Sequence, residues 1–150
     1  MDIKITKLLN LYLAYLRSMA LVHQFNHWTV SGKEFYQSHL LLDRVYSSLL
    51  DDIDQAAEKI AGVFGSESID YKLQQEMISN IMIKNAIKEK SMDAKLNQSL
   101  TTEMKFLTLS QIVFEKLDSS ELLTLGFDDF IMSTASHREE AVYLLKQSME

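Results

Sequence analysis

The chain is predicted to be all-α, a bundle of long helices, because it has no proline, only four glycines and no stretch of apolar-polar alternation at period two. Proline and glycine punctuate a chain, and their scarcity leaves long periodic stretches uninterrupted. With 150 residues, 47% of them hydrophobic, the chain can bury one core and is too short for two ordinary domains, so a single domain over 1–150 is expected.

The first helix is predicted from about Ile3 to Val30, since Leu8, Leu9, Tyr12, Leu16, Met19, Val22 and Phe25 recur at steps of three and four. Ser31 and Gly32 end it, with Gly32 free to take the left-handed conformation that often closes a helix. The second helix runs from near Glu34 to Phe64, with Leu41, Leu42, Val45, Leu49, Ile53, Ala57 and Ile60 on one stripe and Gly65 as its stop. At about 45 Å each, the two form an antiparallel hairpin. Residues 66–90 are less regular and read as a crossover with a short helix over about Leu73 to Ile83. A further helix spans about Met92 to Leu117, a loose join follows at Asp118, Ser119 and Ser120, and the last helix runs from Gly126 or Phe127 to Gln147. Two hairpins joined by one long connection match the ferritin-like four-helix bundle.

The absence of cysteine excludes disulfides and thiolate metal sites, so any metal binds through imidazole, carboxylate or water. The apolar stretch from Leu8 to Val22 is interrupted by Asn10 and Arg17 and is too short to span a bilayer. It also lacks a basic leader and cleavage site, so a cytoplasmic protein without membrane attachment is expected. The net charge of −6 and the lack of a polybasic tail weigh against nucleic-acid binding and suit attraction of cations.

His27, His39, Asp43, Asp54 and Glu58 carry the chemistry. If the first turn centres near Lys33, His27 lies six residues before it and His39 six after, so antiparallel packing sets them at one height. Asp43 follows His39 by one helical turn on the same face. Asp54 and Glu58 form a second pair at the same step. Eleven residues from Asp43 to Asp54 return to within about 20° of the same face but about 16 Å along it, too far for both pairs to bind one ion. A second copy packed antiparallel across a two-fold axis near Ser48 and Leu49, where the small Ser47 and Ser48 permit close approach, brings them together. Each site then draws His27, His39 and Asp43 from one chain and Asp54 and Glu58 from the other. Two imidazoles and three carboxylates suit Fe(II), Mn(II) or Zn(II).

The stretch HWTVSGKEFYQSHLLLDRVYSSLLDDIDQAAEKI, residues 27–60, resembles the Dps family of miniferritins. The likeness rests on His27-Trp28, Gly32 and Phe35 at the turn, His39-x-x-x-Asp43, and Asp54-x-x-x-Glu58 followed by Lys59. It covers about a quarter of the chain; the last helix, FDDFIMSTASHREEAVYLLKQ, resembles the family only loosely. The resemblance implies a homo-oligomeric, hollow dodecamer that oxidises Fe(II) with hydrogen peroxide or oxygen and stores ferric mineral. His27, His39 and Asp43 would ligate iron from one subunit, Glu58 would do so from its mate, and Asp54 would ligate or position it by a hydrogen bond. Trp28 beside a ligand would be a radical sink. DNA-binding relatives use mobile basic tails, whereas only Lys4 and Lys7 lie near this start, which argues against DNA binding. The ferritin pattern of Glu-x-x-His on two helices is absent, which disfavours a di-iron site inside one bundle.

Other residues receive plainer readings. His23 is structural because the ligand set is full, and His137 is a solvated helix residue. Trp28 contributes burial whatever its redox role, and the eight methionines are packing. Asp51 and Asp52 lie on an iron path or a solvated face; Glu67, Glu76 and Glu103 line pores or a cavity. Two alternatives compete with the iron store: a nucleoid-type DNA-binding shell, and a zinc- or manganese-binding shell without redox turnover.

Overall fold

The computed structural model describes residues 3–150, which form five α-helices and one 3-10 turn, with no strand among the described residues. Helices α1 (Ile3–Thr29) and α2 (Phe35–Phe64) are about 40 and 45 Å long at 1.5 Å per residue. They fold back on each other through a turn in which Gly32 takes φ +114°, a value that disfavours any side chain. Gly65, at φ +91°, closes α2. A 3-10 turn (Ser66–Ser68) and α3 (Tyr71–Lys84) make the crossover, followed by α4 (Met92–Ser119) and α5 (Leu125–Ser148).

The long crossover is a geometric necessity. Both α2 and α4 pack on α1 and run against it, so the chain must return the whole length of the bundle before α4 begins. Asn10, a polar interruption in an apolar run, pins this return. Its Nδ2 donates to the Ser68 carbonyl, while its Oδ1 accepts from the Asp70 amide and the Gln74 side chain at 2.9–3.0 Å. Capping side chains start the later helices: Asp70 accepts from the Leu73 amide, Ser91 from Ala94 and Thr124 from Phe127.

The main core is aliphatic and aromatic. Tyr12 and Phe106 sit in contact at 5.0 Å between ring centres, with Leu9, Leu16, Met19, Leu49, Ile60 and Phe127 around them. A second cluster of Val30, Leu42, Val45, Leu96 and Leu145 fills the end near the α1–α2 turn. Phe25, predicted on the buried stripe of the first helix, is 56% exposed. His23 and Asn26 take the inward positions beside it. The predicted short helix is longer than expected by two residues before Leu73 and one after Ile83, because Asp70 caps it earlier. No helix among the described residues is long and apolar enough to cross a membrane.

The stop of α4 is a Schellman motif. The Leu122 amide donates to the Leu117 carbonyl and the Glu121 amide to Asp118, both at 2.9 Å. The motif needs a left-handed residue, and Glu121 occupies it at φ 57° where glycine is usual.

Candidate metal half-sites

His27 and His39 face each other across the hairpin with their rings stacked, 3.9 Å between centres and 22° between planes. Each ring is fixed by the other residue's backbone. His27 Nδ1 donates to the His39 carbonyl at 3.0 Å, and His39 Nδ1 donates to the His27 carbonyl at 2.9 Å. A carbonyl can only accept, so both Nδ1 atoms carry hydrogen and Nε2 is the ring atom of each that is left for an outside partner. Phe35, at the start of α2, stacks on His39 at 5.0 Å and holds the pair from the other side.

Asp43 completes the group on one chain, its Oδ1 3.9 Å from His27 Nε2. The imidazole is mostly buried and the carboxylate about half exposed, so the group opens outward from α1 and α2. Asp54 and Glu58 are exposed on the same face of α2 further along the helix. Among the described residues no three histidines and acids of one chain lie close enough to hold a metal ion. The chain thus sets His27 beside both His39 and Asp43, and leaves Asp54 and Glu58 further along α2.

The donor set fits a divalent first-row metal. It offers preoriented imidazole nitrogens and carboxylates, with the second donor of each ring already satisfied. The face around it is apolar and uncovered: Tyr36, Leu40 and Leu50 are exposed at helical spacing with Asp43 and Asp54. Midway between the acids, Ser47, Ser48 and Leu50 are exposed, and of the two residues expected at the two-fold axis only Leu49 is not. Leu49 is buried in the core and the Ser48 hydroxyl accepts from Arg138 at 2.6 Å. Trp28 is 65% exposed, so within the chain it supplies little burial.

The centre of the bundle holds a polar network with contributions from four helices. His23 Nε2 meets Glu103 Oε1 at 2.9 Å and His23 Nδ1 meets Ser99 Oγ at 3.0 Å. The same Glu103 oxygen accepts from Arg138 at 3.2 Å, and the Arg138 guanidinium also lies 3.5 Å from Asp52 Oδ2. His23 is fully buried and bonded at both ring nitrogens, and Glu103, also fully buried, cannot line a pore. Asp52 is buried too and not on a solvated face, and desolvation raises its pKa against the opposing pull of Arg138 and His137. His137, half exposed, contacts Asp52 Oδ1 at 3.2 Å rather than facing only water. Asp51, Glu67 and Glu76 are exposed.

Sequence reasoning missed Arg138, the largest fully buried side chain. Its signal was present: Phe127, Ile131, Thr134, Arg138, Ala141 and Leu145 recur at three- and four-residue steps, and an arginine inside such a stripe must be buried and paired.

The helix order and the crossover define a ferritin-like four-helix fold, the architecture of Dps structures. Solved Dps structures superpose over nearly the whole chain. The Dps from Thermosynechococcus elongatus has a TM-score of 0.81 at 16% identity, covering 98% of this chain and 90% of that one. DpsC from Streptomyces coelicolor has a TM-score of 0.80 at 23% identity over 97% and 83% of the two chains. The Vibrio cholerae Dps, described as a member of a broad superfamily of ferritin-like diiron-carboxylate proteins, has a TM-score of 0.80 at 18% identity over 98% and 89%. No family model and no curated protein matches the sequence.

Proposed function

We propose that the protein is a Dps-type miniferritin: a homo-oligomer that oxidises Fe(II) at sites shared between two-fold-related chains and stores the ferric product. The observation that carries this reading is the reciprocal pinning of His27 and His39 through their Nδ1 atoms, which leaves both Nε2 atoms without a hydrogen bond in the chain, that of His27 3.9 Å from Asp43. Such a half-site is short of donors, and Asp54 and Glu58 on the partner's α2 supply them when the helices cross near Ser47 and Leu50.

Iron is the substrate in this reading, with zinc or manganese able to occupy the same donors. Two ferrous ions supply the two electrons that cleave the O–O bond of hydrogen peroxide. The products are ferric oxyhydroxide and protons, so peroxide and ferrous iron are consumed together. His27 and His39 bind through Nε2, while the carboxylates balance the ferric charge. Pairing buries Tyr36, Leu40 and Leu50. Leu125, Met132 and Tyr143 remain exposed on α5, and this uncovered apolar surface supports growth of the pair into a closed shell of twelve chains. With a net charge of −6, DNA binding is not expected, and a gel shift at low salt tests that directly.

Stoichiometric Fe(II) and peroxide should yield a soluble brown product. Combining His39→Ala with Asp43→Ala should slow its formation sharply, and unchanged kinetics in that double variant would reject the site. Metal analysis beside the oxidation assay separates a redox site from one that only holds zinc or manganese.

A further inference from the structure

Helix α3 lies along α1 and does not pack closely on α4, which leaves a cleft between α3 and α4. Asn85, at the end of α3, bridges it twice: its carbonyl accepts from Gln98 Nε2 at 2.7 Å and its Oδ1 from Lys105 Nζ at 2.8 Å. Two neighbouring cavities of about 260 and 250 Å³ share Lys84, Asn85 and Lys105 in their walls. The larger is amphipathic. Leu11, Ile81, Leu109 and Tyr15 line it, and Lys84 and Lys105, both exposed, supply its only charges. In a chain of net charge −6, no acidic residue lines either cavity.

Structural roles do not use up the donors gathered here. Lys84, in the last turn of α3, suits the negative end of the helix dipole, yet its ammonium has no hydrogen-bond or ion-pair partner among the described residues. Lys105 uses one N–H on Asn85 and keeps two. The Tyr15 phenol oxygen reaches the Asn85 side chain without closing a hydrogen bond of normal geometry, and is otherwise buried and unpaired. Burial raises its pKa, so the phenol keeps its proton to donate. A buried polar atom without a partner is uncommon in a native chain and calls for an explanation.

The geometry points to a binding site for a small organic carboxylate, its apolar body against Leu11, Ile81, Leu109 and Tyr15 and its charge between Lys84 and Lys105. Asn85 Nδ2 adds a third donor, and drawing Asn85 toward the ligand closes its bond with the Tyr15 hydroxyl. The volume limits the occupant: the cavity lies below the range of about 300–1,000 Å³ usual for drug-sized ligands, so a single ring or a short chain fits. An inorganic anion leaves the apolar wall wet, and an uncharged ring leaves both ammonium groups unpaired. The cavity draws on α1, α3 and α4, and none of its residues lies on α2 or α5, the helices that carry the contacts between chains proposed above. It needs no iron, so it stands or falls apart from the iron-oxidising reading.

The test is calorimetric titration of the assembled, metal-free protein with benzoate, which should bind saturably at one per chain. Benzamide, the same shape without the charge, and inorganic phosphate, a charge without the ring, should each bind at least about tenfold more weakly, the loss that one missing charge-assisted hydrogen bond produces. Lys84→Met and Lys105→Met should weaken benzoate by a similar factor, and both replace exposed side chains, so an unchanged thermal midpoint confirms the fold. Tyr15→Phe should weaken it less, and Lys88→Met, in neither cavity, should leave it unchanged. Absence of saturable benzoate binding overturns the proposal. Equal binding of phosphate reduces the site to a patch of positive charge, equal binding of benzamide reduces it to an apolar dent, and either result overturns it as well.

Discussion

Replacing Arg138 with methionine tests whether the bundle centre is held by charge pairing or only by packing. The side chain is fully buried and pairs with Glu103 at 3.2 Å, with Asp52 at 3.5 Å and with the Ser48 hydroxyl at 2.6 Å. Methionine approximates the volume of the aliphatic stem but returns none of these contacts. Two buried carboxylates then keep only His23 and His137 as neighbours. Removing one partner of a buried ion pair costs about 3–5 kcal/mol. Against a total of about 5–15 kcal/mol for a domain this is a large fraction. At about 2–4 °C per kcal/mol for a chain of this size, the midpoint should fall by roughly 10 °C. Thermal and urea unfolding, at one fixed protomer concentration because assembly shifts the midpoint, measure the change. A loss below about 1 kcal/mol would refute the reasoning, since it would mean that the carboxylates are not uncompensated in the variant.

Glu121→Gly should stabilise the protein by about 0.5–1 kcal/mol in urea unfolding, because it removes the cost of a left-handed glutamate from the Schellman stop of α4. Asp52→Asn should flatten the stability-pH profile. Burial raises the folded-state pKa of Asp52, so its stabilising contribution is complete below the ordinary carboxyl range near 4 and is lost as pH rises through the raised value. Wild type should lose stability across that window and the variant should not, as read by chemical unfolding at a series of pH values. Lys95→Met should destabilise the α1–α2 turn, because the buried ammonium donates to the Thr29 carbonyl at the end of α1, where a cation also favours the helix dipole. Hydrogen exchange of the last α1 turn should accelerate while that of α5 stays unchanged.

The α1–α2 hairpin was legible in the sequence because local rules decide it. Helical periodicity, a glycine able to take positive φ at Gly32 and equal spacing about the turn placed His27 opposite His39. The Asp43 and Asp54 spacing likewise fixed their common face. What the sequence concealed depends on partners far apart in the chain. Glu103 reads as a surface acid until His23 and Arg138, 80 and 35 residues away, are seen to enclose it. Periodicity alone placed Phe25 inward. The bundle centre instead gives that side of α1 to His23 and Asn26, whose hydrogen bonds to α4 offset their burial. The stop at Glu121 escaped notice because the motif's backbone, not a glycine, marks it.

Subunit mixing tests the shared site most directly. One chain carries His39→Ala with Asp43→Ala and the other Asp54→Ala with Glu58→Ala, so each alone should be unable to oxidise Fe(II) at the wild-type rate. Co-assembled at equal amounts, half of the two-fold pairs are mixed and each rebuilds one of its two sites, so about a quarter of wild-type peroxide-driven oxidation should return. A mixture as inactive as its components, although mixed pairs form by mass, would contradict the account.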